Sequence, residues 1–504
     1  MENEHILYTD HPGLVQRTPW WIVSSVFHLA LVLLAGMWLM TDTEIKSPVE
    51  IIPWVPRPHL MPQRVETKRP TTTTDLRDIP KEFYEPDSVI TKEDFEDDPF
   101  EIQEMEISEG KSSGDPDKPS TIDLKDDGWV TDIGIAGGTA GLFGDRSGPG
   151  KRNACRRNGA PPGCTVTVDD SLRWFVRHQN RQNGSWSFSD YHQQCKGVKC
   201  ERLDLERDYN NWDNCATGLA LLCFLGNGHT PRTGPYARHV NKGLSYLVNA
   251  QADDGSFSTN NYVHAIAAMA VCEAYGMTRS DLLKGSAQKA VNVIIARQNH
   301  YLGWTYGNPA SRNDTSVTGW QVMALKAGVS SGLAIENGFD GAKMHFDKIT
   351  PEVTGESEPV LAEHCAYTYW TDRDDPGHRN ATMTAISMLC RLFMGQDSKS
   401  RTIRGHINKM LEKLPGNYET ADLYGLYYGT YAMCLAGKDA WKQWNKAMAT
   451  MLMQNQNATE TCNDGSWDPT TDFSSQRGGR LFSTAMGCLS LEVYYRYAAV
   501  KKTK

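Results

Sequence analysis

Three acids crowd into four residues at Asp372-Arg373-Asp374-Asp375. Like charges that close cannot all ionise in a dry site, so one carboxyl could keep its proton and serve as an acid. A solvated acidic loop is the other reading, because Arg373 can pair with the acids and Pro376 disfavours helix at Asp375. Four cysteines, Cys155, Cys164, Cys195 and Cys200, lie in polar stretches. In an oxidising compartment they would form two disulfides. A zinc site of all four thiolates is the alternative, with looser spacings than paired C-x2-C knuckles. Cys223, Cys272, Cys390, Cys434 and Cys488 fall in apolar runs and read as small core residues. Trp320, Tyr424, Tyr427, Tyr428 and Tyr431 form an aromatic set that could line a cavity for an apolar chain or a cation, or could pack a core. The chain contains no G-x-S-x-G elbow, no H-E-x-x-H pair and no kinase signature. Gly148-Pro149-Gly150-Lys151 misses the P-loop spacing.

These groups must be positioned by a repeat. An amphipathic helix, a glutamine, a few polar residues and Gly-x-aromatic recur about every 50 residues. The copies end in Gln179 with Gly184-Ser185-Trp186, Gln251 with Gly255-Ser256-Phe257, Gln298 with Gly303-Trp304, and Gln456 with Gly465-Ser466-Trp467. Polar-faced helices are predicted near 168–179, 238–250, 285–298, 338–349, 400–413 and 441–456. Between them lie nearly all-apolar helices near 214–225, 262–275, 315–328, 381–394, 422–436 and 482–497. Strict alternation of six and six predicts an all-α domain over 165–504. The expected form is an (α/α)6 toroid of six outer and six inner helices.

The glutamine/Gly-x-Trp copies resemble the QW motifs of squalene and oxidosqualene cyclases. The ring is similar to the wider terpenoid cyclase/protein prenyltransferase superfamily over roughly 165–497. Leu172–Gln179, Tyr262–Tyr275, Asp314–Leu325 and Leu491–Tyr497 resemble membrane-tethered squalene-cyclase-like repeat proteins of planctomycete-type bacteria. The resemblance implies that Gln179/Trp186, Gln251/Phe257, Gln298/Trp304 and Gln456/Trp467 brace helix turns and do no chemistry. It implies Asp374 as the proton donor of a class II cyclase, supported by Asp372 and Asp375. It also implies Asp213, Cys215 and His264 as a prenyltransferase-like zinc triad with an open fourth position. The plain readings beside that triad are a helix cap, a core thiol and an interhelical bond. Zinc is thus the one cofactor suggested. The expected function is an apolar, isoprenoid-like ligand or a protein partner held in the central cavity, with a cyclase or zinc transferase as the enzymatic alternative. A glycan-acting toroid is a third class, for which no carboxylate pair stands out.

The remaining 164 residues carry no repeat. Residues 1–19 form a tail. Between Arg17 and Asp42 there is no charge, and Trp20–Met40 is about 21 residues, enough to cross a bilayer core. A single-pass anchor over 20–41 is therefore expected. Ser24 and His28 within it resemble the anchor of TonB-type energy transducers, which implies an inner-membrane address, a periplasmic toroid and energy-transducing or other inner-membrane partners. Residues 42–164, Pro-rich and acidic and then Gly-rich, read as a disordered linker. The whole chain of 504 residues has a net charge of −9, which argues against a nucleic-acid surface.

Overall fold

The computed structural model describes residues 146–195, 200, 212–459 and 461–497, together with His28 of the separate N-terminal unit Met1–Ile52. Thirteen helices run through these residues. The first, α1 (Gly148–Asn158), lies inside the expected linker, with Pro149 in its first turn and Gly159 closing it in the left-handed conformation. Six outer helices follow in alternation with six inner ones. The outer helices are α2 (Cys164–Arg177), α4 (Ala237–Ala250), α6 (Asp281–Ala296), α8 (Gly338–Ile349), α10 (Arg401–Leu411) and α12 (Lys438–Gln454). The inner helices are α3 (Asp213–Gly226), α5 (Asn261–Thr278), α7 (Thr315–Ser330), α9 (Ala381–Phe393), α11 (Leu423–Ala436) and α13 (Phe473–Leu491). Each inner helix packs on the next, and α13 packs back on α3, so the inner ring closes. This contact order is the (α/α)6 toroid.

Sequence explains where the inner helices begin. Asn260, Asp314, Asn380, Asp422 and Asp472 each accept a backbone N–H from the first turn that follows, as N-caps do. Five of the six inner helices therefore present an Asx side chain at the same mouth of the ring. The last inner helix starts well before the apolar run near 482 because Asp472 caps it early. Gly479, at φ 61°, then kinks it and breaks the apolar period that marks a helix in sequence.

The glutamines knit the outer ring. Gln179 Nε2 donates to Gly184 O at 2.8 Å and to His239 O, in the next outer helix, at 3.0 Å. Gln251 spans Gly255 O and Ser286 O, and Gln298 spans Leu302 O and Gly338 O. Gln456 joins Gly465 O to Thr167 O of α2, which closes the circle. Gly184 sits at φ 79°, and a Cβ there would lie 2.7 Å from Lys242 O, so only glycine fits beneath the neighbouring helix. The indoles finish the brace. Trp186, Trp304 and Trp467 donate Nε1–H to Phe175 O, Ile294 O and Leu452 O at 2.7–2.8 Å. Their backbone N–H groups meet Thr217, Thr318 and Thr484 on the inner helices.

Two small antiparallel pairs decorate the ring. Strand β1 (Arg312–Asp314) pairs with β4 (Thr368–Trp370), Asp314 opposite Thr368. Strand β2 (Val353–Thr354) pairs with β3 (Val360–Leu361).

One expectation is corrected here. Among the described residues no helix is long and apolar enough to cross a membrane. The anchor expected over 20–41 falls outside the described residues, His28 excepted. The single-pass topology, the inner-membrane address with its periplasmic toroid, and the membrane and energy-transducing partners built on that anchor go with it.

Candidate functional site

The D-x-D-D acids follow β4 as an exposed turn. Asp374 takes φ 46°, accepts a hydrogen bond from Tyr369 Oη and lies 3.7 Å from Lys348 Nζ. Its side chain is 78% exposed. The Tyr369 hydroxyl, then the Lys348 ammonium, hold its carboxyl below the usual carboxylate range. Asp372 accepts from Ser311 Oγ, and Asp375 lies 3.4 Å from Arg373. An ionised, solvated carboxylate cannot deliver the proton that opens an alkene, so the acid expected at Asp374 is replaced by a surface turn.

Asp213, Cys215 and His264 do not converge as ligands. His264 is fully buried and spends both ring nitrogens on backbone: Nδ1 meets Phe257 N–H at 3.1 Å and Nε2 meets Ala290 O at 3.0 Å. Burial pushes it down to about 4. Cys215 is buried in α3, where desolvation pushes its thiol up. Asp213 opens α3 half-buried, its pKa raised by burial and by Asp190 against the opposing bond from Ser187.

Trp320, Tyr424, Tyr427, Tyr428 and Tyr431 do come together, but as filling. Trp320 on α7 stacks on Tyr424 and Tyr427 at 6.2 and 5.8 Å, and the tyrosines of α11 pack edge to face at 5.2 Å. All five are buried. A second buried set, of ions, lies where inner helices α5 and α13 end. Arg146 Nη1 meets Glu273 at 2.8 Å, Arg496 meets Glu273 at 3.0 Å, and Arg496 meets Glu492 at 2.8 Å. Glu273 is held ionised by the two arginines against its burial, while burial pushes Glu492 up to about 8. These rings and ions are thus buried and packed on one another.

Rings that are only partly buried lie at the capped mouth. Across it runs a strip of rings: Trp212 to Tyr262 at 5.9 Å, Tyr262 to Tyr306 at 6.5 Å and 17°, and Tyr367 to His378 at 5.1 Å and 13°. The Tyr306 and Tyr367 hydroxyls are 3.3 Å apart. Trp212, Tyr262, Tyr306 and Tyr367 are half-buried and His378 is exposed. Asp314 lies buried beside Tyr306 and Tyr367, 2.9 Å from Arg312, with burial raising its pKa. Asp213 follows Trp212 at the other end. None of these tyrosines stood out in sequence. The repeat places aromatics at every turn, and nothing local separates a half-exposed ring from a buried one.

The four loop cysteines also part company. Cys155 and Cys164 are buried in α1 and at the start of α2. Cys195 and Cys200 instead meet His178 and Cys462, and these four are the residues arranged to hold a metal among those described. His178 is adjacent to a motif glutamine, and Cys462 lies in the extended turn of the last copy. That shared position was the signal available in sequence.

No known family matches the chain, and no curated protein does. The solved structures similar to it include an α-amylase from Clostridium perfringens, at 11% identity over 66% of this chain and 98% of that one, with a TM-score of 0.46. A glycoside hydrolase family 76 mannosidase from Bacteroides thetaiotaomicron shares 12% identity over 66% and 97%, with a TM-score of 0.43. An unsaturated glucuronyl hydrolase from Streptococcus agalactiae shares 11% over 66% and 91%, also at 0.43. At those scores no residue role or substrate passes from them to this chain. Squalene-cyclase membership is not shown by these comparisons; the helical toroid stands on its own closed ring. The expectation of a membrane-anchored, cyclase- or prenyltransferase-like domain with an isoprenoid in its cavity is overturned. Among the described residues no helix can cross a membrane, the acid expected at Asp374 is exposed, and the five rings expected to line a cavity are buried against one another.

Proposed function

We propose that the toroid binds a polyhydroxylated ligand, a glycan, across its capped mouth. The observation that carries this reading is the strip Trp212–Tyr262–Tyr306–Tyr367–His378, half-exposed and flanked by Asp213 and Asp314. Sugar rings offer apolar C–H faces to aromatic planes, and their hydroxyls donate to carboxylates. Asp213 and Asp314 are the acids at that mouth, and burial raises the pKa of each.

The full-length protein should be titrated with a panel of soluble oligosaccharides, with binding read calorimetrically. Tyr262→Ala and Tyr306→Ala should each weaken a bound glycan about fivefold, on the order of 1 kcal/mol per lost ring face. Silence across mannan, glucan and uronate oligomers, or affinity indifferent to both substitutions, would end the glycan reading.

A further inference from the structure

We infer that His178, Cys195, Cys200 and Cys462 form a closed zinc site that staples the first repeat to the last. The four ligand atoms lie within 4.8 Å of one another. His178 Nε2 is 3.2 Å from Cys200 Sγ, 3.3 Å from Cys195 Sγ and 3.2 Å from Cys462 Sγ. A tetrahedral ion with Zn–N near 2.0 Å and Zn–S near 2.3 Å separates nitrogen from sulfur by about 3.5 Å and sulfur from sulfur by about 3.8 Å, close to the separations found here.

Hydrogen bonding alone does not account for the cluster. His178 Nδ1 is 2.7 Å from Trp174 O and must donate to it, which leaves Nε2 as a single unprotonated lone pair. One lone pair can accept one S–H, yet three sulfurs crowd around it. A cation accepts all four donors at once. The Trp174 carbonyl is then the outer partner that orients a metal-bound imidazole, and the Trp174 indole stacks on that ring at 4.1 Å and 22°. Cys200 N–H donates to Cys195 Sγ at 3.3 Å, which favours the thiolate form a metal needs.

Three thiolates and one imidazole suit Zn²⁺, and four protein ligands leave no open position, so the role is structural. Its location says what it holds. His178 ends α2, Cys195 and Cys200 lie in the α2–α3 connection, and Cys462 lies in the α12–α13 connection. The ring closes between those connections. Arg177 Nη2 donates to Asp464 O across the same seam at 2.6 Å, so the metal adds to a junction already bonded by side chains. This site shares no residue with the aromatic mouth, and either can fail without the other.

Full-length protein purified anaerobically from zinc-supplemented cells should carry about one zinc per chain by plasma mass spectrometry. Cys462→Ser should lower that at least tenfold, while His178→Cys, which keeps four ligands, should retain it. Cys215→Ser should also retain it, which separates this site from the Asp213/Cys215/His264 set. Chelated protein given Co²⁺ should develop a thiolate-to-cobalt charge-transfer band that Cys462→Ser lacks. Metal-free protein, undiminished zinc in Cys462→Ser, or a disulfide among the three cysteines in the anaerobic sample would each overturn the assignment.

Discussion

In the second repeat His264 Nδ1 meets Phe257 N–H where a threonine hydroxyl meets a tryptophan backbone N–H in the other three. Those pairs are Trp186 with Thr217, Trp304 with Thr318 and Trp467 with Thr484. His264 Nε2 then reaches Ala290 O on α6, the next outer helix, whereas each indole N–H serves the outer helix of its own copy. The imidazole thus ties neighbouring copies together, and it stacks on Phe257 at 5.8 Å. His264→Thr should keep a partner for Phe257 N–H but lose the bond to Ala290 O and the ring contact, at a cost of about 2 kcal/mol. Urea denaturation reads the difference, and a variant as stable as the parent would contradict the tie.

That pair also shows what could be read from sequence and what could not. The helix alternation was legible because its periods are local, and five of six inner N-termini carried an Asx cap. The zinc-like triad looked plausible because Asp213, Cys215 and His264 sit at the right spacing. His264, however, spends both ring nitrogens on backbone atoms, Asp213 bonds to Ser187 and Cys215 is core, and spacing carries no information about a carbonyl on a neighbouring helix. The D-x-D-D reading failed for a related reason. A motif specifies acids, but exposure decides whether an acid keeps its proton, and β4 carries these three into solvent. Conversely, His178 and Cys462 lie 284 residues apart and meet only because the toroid closes.

Asp374→Asn tests that exposure directly. A solvated ion pair at 3.7 Å contributes little. The substitution should shift the denaturation midpoint by no more than the scatter between replicate titrations. A larger loss would mean that the turn is buried in the working protein.

The buried ion set should behave in the opposite way. Glu273 is the shared partner of Arg146 and Arg496, all three nearly inaccessible to water. Glu273→Ala leaves two buried guanidiniums facing each other and should cost about 3–5 kcal/mol. Arg146→Ala removes one of those cations and leaves Glu273 paired with Arg496, so it should cost less. Equal losses in denaturant titrations would show that Arg146 matters through packing alone.

Acid should unfold the ring through its buried histidines. His264, His345 and His406 are fully buried and pushed down by that burial to about 4, about 3 and about 3; their main polar contacts are Ala290 O for His264, Thr315 Oγ1 for His345, and Ser387 Oγ and Thr402 O for His406. An unfolded histidine titrates near 6.5. Between that value and about 4 the unfolded chain binds protons that the folded chain refuses, so stability rises with pH and falls as pH drops below 6.5. Each histidine should cost about 2 kcal/mol by pH 5. The ionised Glu273 acts in the same direction at lower pH; Glu492, pushed up to about 8 by burial, opposes the three histidines by about one proton over this interval, and Asp314, with its raised pKa, opposes them weakly. The three histidines outnumber Glu492, so denaturation midpoints measured from pH 7.5 to 5 should decline, and His406→Gln should flatten the slope by about one proton. A midpoint independent of pH over that interval would show that these imidazoles reach water in the folded ring.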